Sequence, residues 1–166
     1  MLGFLRNMKV AMASEKDVFF MTAAMAQATR AAALGEVPVG AVIVRDGLIL
    51  ARAYNKKETG LDPTAHAEII ALRRAAKKLG SWRLDDCRLY VTLEPCVMCM
   101  GALVQARIGS LVYGATDPKA GACGSLFDLS SDVRLNHRFK ATGGVMEQET
   151  GELLKVFFRA LRKKNR

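Results

Sequence analysis

The chain has no apolar run near the ~18 residues that a membrane-spanning helix needs. Its longest convincing run, Val39 to Val44, is strand-sized. Met1 to Ala13 carries Arg6 and Lys9 but no acid, and it has neither a long apolar core nor a clear cleavage site, so no secretory signal is expected there. We read residues 1–13 as a loose extension and the cytoplasm as the expected compartment, with no membrane partner. There is no internal repeat and no low-complexity linker, so residues 14–166 are expected to form one domain. Cysteine is scarce, with four in 166 residues. In a chain without secretory features, such cysteines suggest metal binding or catalysis before disulfides. Acid is in short supply too: 16 Asp and Glu face 25 Lys and Arg, a net charge of +9. That imbalance is a cue for a polyanionic partner.

What is present is a chain that can fold, since 51% of its residues are hydrophobic. Ser14 with Asp17 three residues on resembles a capping box and opens a predicted helix over Glu15–Leu34, stopped by Gly35. Pro38–Arg45 and Leu48–Ala53 read as strands around an Asp46-Gly47 hairpin turn. Asn55–Asp62 is a polar loop. A helix is predicted over Ala65–Leu79, a strand over Arg88–Leu93, a helix over Cys96–Ala106 and a strand over Ser110–Gly114. A glycine-rich loop, Asp117–Gly124, and an irregular stretch to His137 follow. Phe139–Val145 is a predicted last strand, and Glu147–Arg162 a final helix. A hairpin followed by alternating helix and strand predicts an α/β layered sheet with helices on both faces. Basic residues gather in two places: Arg73, Arg74, Lys77 and Lys78, and a C-terminal group from Lys155 to Arg166.

Two short segments carry the chemistry: His66-Ala67-Glu68 and Pro95-Cys96-Val97-Met98-Cys99. One histidine and two cysteines are good ligands for Zn²⁺. Structural zinc sites close with four protein ligands, whereas catalytic ones leave a position open for water. Three ligands beside an unligated glutamate therefore suggest a zinc-water enzyme. His66, Cys96 and Cys99 are the expected ligands, and Glu68 the expected acid/base. Pro95 suits the first turn of a helix, where exposed N–H groups and the positive helix end favour thiolates at Cys96 and Cys99. His66 and Glu68 lie about 200° apart on an ideal helix, so they can share a pocket only at a helix end. One Zn²⁺ per subunit with a bound water or hydroxide is expected, with Glu68 shuttling the protons of the reaction. The competing view is a structural site closed by Cys87, Cys123 or His137. It leaves Glu68 without a purpose. Otherwise Cys87 and Cys123 read as reduced core thiols, and His137 as a residue hydrogen-bonded in a turn.

The pair of segments matches the H-x-E…P-C-x-x-C signature of zinc nucleobase deaminases. With Val37–Val42, Gly124-Ser125-Leu126, Asn136-His137-Arg138 and Phe157-Phe158-Arg159, it makes the chain resemble the bacterial tRNA-specific adenosine deaminases from about Val18 to Arg162. The resemblance implies a cytidine-deaminase-like three-layer α/β/α fold with a central mixed five-stranded sheet. It implies a single zinc-dependent deaminase domain, a homodimer, and conversion of the wobble adenosine of a tRNA anticodon stem-loop to inosine. It assigns Asn55 a hydrogen bond to the target nucleoside and lays the Ala67 backbone against the base. Asp117 and Lys119 would meet RNA backbone or ribose, and Phe158 and Arg162 would stack on a base and hold a phosphate. Two other readings stay open. One is a deaminase of a free base or nucleotide, which would not need the basic tail; the other is a noncatalytic zinc-stabilised RNA-binding module, which would not need Glu68.

Overall fold

The computed structural model of the protein describes residues 13–166; the first twelve residues of the expected N-terminal extension lie outside them. The elements follow the order α1 Glu15–Ala33, β1 Gly40–Arg45, β2 Leu48–Tyr54, α2 Ala67–Leu79, β3 Arg88–Leu93, α3 Val97–Gln105, β4 Ser110–Ala115, β5 Lys140–Thr142 and α4 Glu147–Lys164. Ser14 caps α1 as expected, its hydroxyl accepting the Asp17 N–H at 3.1 Å.

The strands form one sheet in the order β2-β1-β3-β4-β5. β1 runs antiparallel to β2 and β3, while β3, β4 and β5 are parallel. The sheet is therefore mixed and five-stranded. Alternation along each strand divides its side chains between two cores. Val42, Val44, Tyr90 and Val112 point to one face and pack with Phe20, Met21 and Ala24 of α1. Ala41, Ile43, Leu89, Val91 and Leu111 point to the other and pack with Ala71 and Leu72 of α2 and Met100 and Leu103 of α3. α4 contacts α1 and β4, completing three layers.

Register places the site. Gly40 pairs with Tyr54, Ala41 with Val91, and Leu93 with Ala115. The start of β1 and the ends of β2, β3 and β4 therefore lie on one margin of the sheet. Asn55, Glu94 and Asp117 all leave from that margin, at the carboxyl ends of strands, where open α/β sheets bind ligands.

Three boundaries differ from expectation for identifiable reasons. α2 and α3 begin at Ala67 and Val97, because His66 and Cys96 are extended N-cap residues with ψ of 152° and 174°. β5 is only Lys140–Thr142, since its ladder with β4 ends there and Gly143-Gly144 turns the chain.

Candidate metal centre and the groove beside it

The two N-caps bring the donors together. Polar side chains usually cap a helix by bonding its free N–H groups, but neither His66 nor Cys96 does so. Both side chains turn inward instead. His66 Nδ1 lies 3.7 Å from Cys96 Sγ and 3.6 Å from Cys99 Sγ. All three donor atoms lie within 4.8 Å of one another. Cys99, on the first turn of α3, is fully buried. Among the described residues, Cys87, Cys123 and His137 are not part of this group. Burial pushes the Cys87 and Cys123 thiols up, Cys123 to about 11, in keeping with unreactive core thiols. His137 Nε2 pairs with the Ile108 carbonyl at 2.8 Å, and its ring stacks on Phe139.

The three donors perturb one another's protonation. The bond from Cys99 draws Cys96 down to about 4, against the effect of its own burial, and His66 assists. The same Cys99–Cys96 bond, with burial, pushes Cys99 up, and the bond with Cys96 raises His66. A cation entering the site would displace these protons.

Glu68 lies in the first turn of α2 and is 4% exposed. Its Oε2 is buried with no hydrogen-bond partner. Burial pushes its carboxyl up to about 7. Such an orphaned oxygen is rare and marks a group awaiting a ligand. Two sulfurs and one imidazole nitrogen are a donor set that suits Zn²⁺, and beside them stands a buried carboxylate with one oxygen unpartnered. The residues present therefore fit a metal.

Asn55 adds a second constraint. Its Oδ1 accepts the N–H of Ala67 at 2.9 Å, so it supplies the cap that His66 does not. With the oxygen engaged, its NH₂ is the free end in the pocket. The Ala67 N–H is consequently occupied, and Ala67 meets the pocket through this bond. Lining residues that include Asn55, His66, Glu68, Cys96 and Asp117 enclose a cavity of about 170 Å³.

The cavity shares Val37, Leu93 and Asp117 with a neighbouring groove of about 590 Å³. Lys119, Lys155, Phe158, Arg159 and Arg162 line that groove. Lys119 and Arg162 are exposed, and Phe158 is packed edge-on against Phe157 with centroids 5.4 Å apart. The Asp117 carboxylate is turned into its own loop, accepting the N–H groups of Lys119 and Ala120 at 3.0 and 3.2 Å. All six residues expected to contact substrate thus surround one continuous depression or, for Ala67, the backbone behind it.

This arrangement has counterparts among known proteins. A model of the MafB19-like deaminase family matches residues 14–162. The tRNA-specific adenosine deaminase of Bacillus subtilis (strain 168) is 48% identical over 151 residues, covering 91% of this chain and 94% of that protein. The chain belongs to the tRNA-specific adenosine deaminase family. A solved structure from work on A-to-I editing by tRNA:A34 deaminases at the wobble position superposes on this deaminase with a TM-score of 0.79 and 45% identity, covering 82% of this chain and 99% of that one. A guanine deaminase from Nitrosomonas europaea gives a TM-score of 0.75 at 24% identity, covering 87% of this chain and 85% of that one; it shares the fold.

Two buried residues of this deaminase were not singled out from sequence. Glu36 is 1% exposed and accepts the N–H groups of Glu58 and Thr59, holding the loop after Asn55. Glu94 is 2% exposed and gathers the loop after β4. A lone acid between an apolar strand and Pro95-Cys96 was a readable signal for Glu94. Glu36 had none.

Proposed function

We propose that residues 14–166 form one deaminase domain that hydrolyses the wobble adenosine of a tRNA anticodon stem-loop to inosine and ammonia. The observation that carries this reading is the continuity of an enclosed acid/metal pocket with a basic, aromatic groove. A free base needs only the pocket. A nucleotide presented on a strand also needs a place for its flanking bases and phosphates.

His66, Cys96 and Cys99 would hold Zn²⁺, one per subunit. When bound, Zn²⁺ supplies the Lewis acidity that lets water act as a nucleophile near neutral pH. Glu68 would accept the proton that water loses and pass it to the ring nitrogen, then take the second proton from the hydroxyl added to the ring carbon and give it to the exocyclic nitrogen, which leaves as ammonia as the C=O forms. The Asn55 NH₂ donates to the substrate while Ala67 holds the other end of that amide in place. Lys119 and Arg162 bind phosphate, and Phe158 stacks on a base.

A second copy of the chain is the proposed partner for an apolar concavity of about 610 Å³, where Trp82 is 62% exposed beside Ile69, Leu72 and Ala102. The proposed compartment is the cytoplasm. Among the described residues no helix is long and apolar enough to cross a membrane.

The test is inosine formation in a synthetic anticodon stem-loop carrying a wobble adenosine, with wild type and Glu68→Ala side by side. Inosine from wild type alone is expected. No inosine from folded, zinc-loaded wild type that deaminates free guanine or cytosine would overturn the reading.

A further inference from the structure

Glu94 lines the metal cavity but is neither one of the metal-ligand group nor part of the groove wall, and it connects the two. It follows β3 directly and precedes Pro95 and Cys96. Its carboxylate accepts four hydrogen bonds, all from one loop. Oε2 takes the Asp117 N–H at 2.8 Å and the Ser125 hydroxyl; Oε1 takes the N–H groups of Cys123 and Ser125, each at 3.0 Å. An ionised carboxylate offers about four lone-pair positions. All are filled, so Glu94 has no acceptor left for a metal, a water or a substrate.

The loop it gathers, Asp117–Ser125, walls the depression on both sides. Asp117 and Ala120 line the cavity; Asp117 and Lys119 line the groove. Further ties run to the same stretch. The Ala122 N–H donates to the Pro95 carbonyl at 2.9 Å, and Cys96 and Gly121 form an isolated antiparallel bridge. The Gly121 backbone passes so close that a Cβ there would collide with the Glu94 carboxylate and the Asp117 carbonyl. Only glycine lets the loop close down on this acid.

We propose that Glu94 is a positioning residue that ties the substrate-facing loop Asp117–Ser125 to the strand end carrying Cys96. One side chain then sets the distance between the metal ligands and the wall that meets the nucleic acid. Bonds to an ionised acceptor are roughly twice as strong as neutral ones, which suits a loop that must stand ready before substrate arrives. What the loop faces rests on the proposed function. That Glu94 holds it does not.

Glu94→Gln keeps the size but brings an NH₂ to a point where two donors converge, so at least one loop donor loses its acceptor. In the zinc-loaded variant, hydrogen exchange at the amides of Asp117, Cys123 and Ser125 should quicken about tenfold, the size of one lost charge-assisted bond. Amides within α2 should not change, and one metal per chain should remain. KM for the stem-loop should rise by about the same factor while kcat stays within about threefold, the pattern of lost binding rather than lost chemistry. Glu94→Asp, which keeps the charge, should recover part of both effects.

Unchanged exchange in the loop of folded Glu94→Gln would overturn the proposal. So would loss of the metal, or a fall in kcat at constant KM. Should Glu94→Gln fail to fold, Ser125→Ala removes a single donor hydroxyl and should still speed loop exchange; no change there would equally overturn it. The exchange readout needs no substrate, so a wild type that forms no inosine sinks the proposed function and still leaves Glu94 decided.

Discussion

Replacing Glu68 with Gln should make the metal-free protein more stable above pH 7 while removing turnover. The buried Glu68 carboxyl is raised from 4.5 to about 7 by desolvation. That difference corresponds to roughly 3 kcal/mol of folding free energy once the group is ionised in both states. The sign follows from proton binding. Between pH 4.5 and about 7 the folded chain keeps a proton that the unfolded chain has released, so stability falls as pH rises through that window and then levels off. Gln cannot ionise and shows no such fall. Its amide still leaves a polar atom poorly satisfied in the same place, at about 1 kcal/mol. The net expectation is a gain of about 2 kcal/mol at pH 8, turning into a loss of about 1 kcal/mol near pH 4. Urea unfolding of chelator-treated wild type and Glu68→Gln at both pH values measures it. With zinc restored, Gln should lower inosine formation by at least about 100-fold, the usual worth of a positioned acid/base. A metal-free Gln variant no more stable than wild type at pH 8 would refute the view that Glu68 is held there at the fold's expense.

Two further outcomes are expected. Asn55→Ala removes the acceptor for the Ala67 N–H and should lower stability by about 1 to 2 kcal/mol, while Asn55→Asp keeps the acceptor and should recover stability but not KM, so thermal melts and steady-state kinetics together separate the two ends of the amide. Changing Lys155, Arg159 and Arg162 to Gln should weaken stem-loop binding and flatten its dependence on log salt by about 2, at roughly 0.7 per phosphate contact on a single strand; fluorescence anisotropy at several salt concentrations checks it, and an unchanged slope would remove α4 from the RNA path.

Much of the layout was readable before folding. The Ser14 cap, the Asp46-Gly47 turn and the end of the second helix at Leu79 are local signals, and each falls where it was expected. The helix starts were placed at Ala65 and Cys96, two residues and one residue early. Periodicity cannot tell a first helical residue from an N-cap, and the difference rests on ψ alone. The last strand was drawn too long because the scattered apolar residues Phe139, Ala141 and Val145 do not show where pairing with a neighbour stops. Glu36 left no local signal, and although the place of Glu94 before Pro95-Cys96 was readable, its partners were not: the donors to Glu36 lie 22 and 23 residues away and those to Glu94 lie 23 to 31 away.

What the sequence determined by itself was the donor set and the fold class. Ligand type is a property of single residues, and helix or strand period is a property of short windows. What tertiary structure decided was the use of those residues. Parallel pairing of β3 with β4 set the ends of both strands side by side, and antiparallel pairing of β1 with β2 and β3 brought Asn55 to the same margin. Only then could Asn55 cap α2, Glu68 lose its water, and Glu94 collect four donors from one loop. These are contacts between residues far apart in the chain, and they exist only once the sheet has chosen its register.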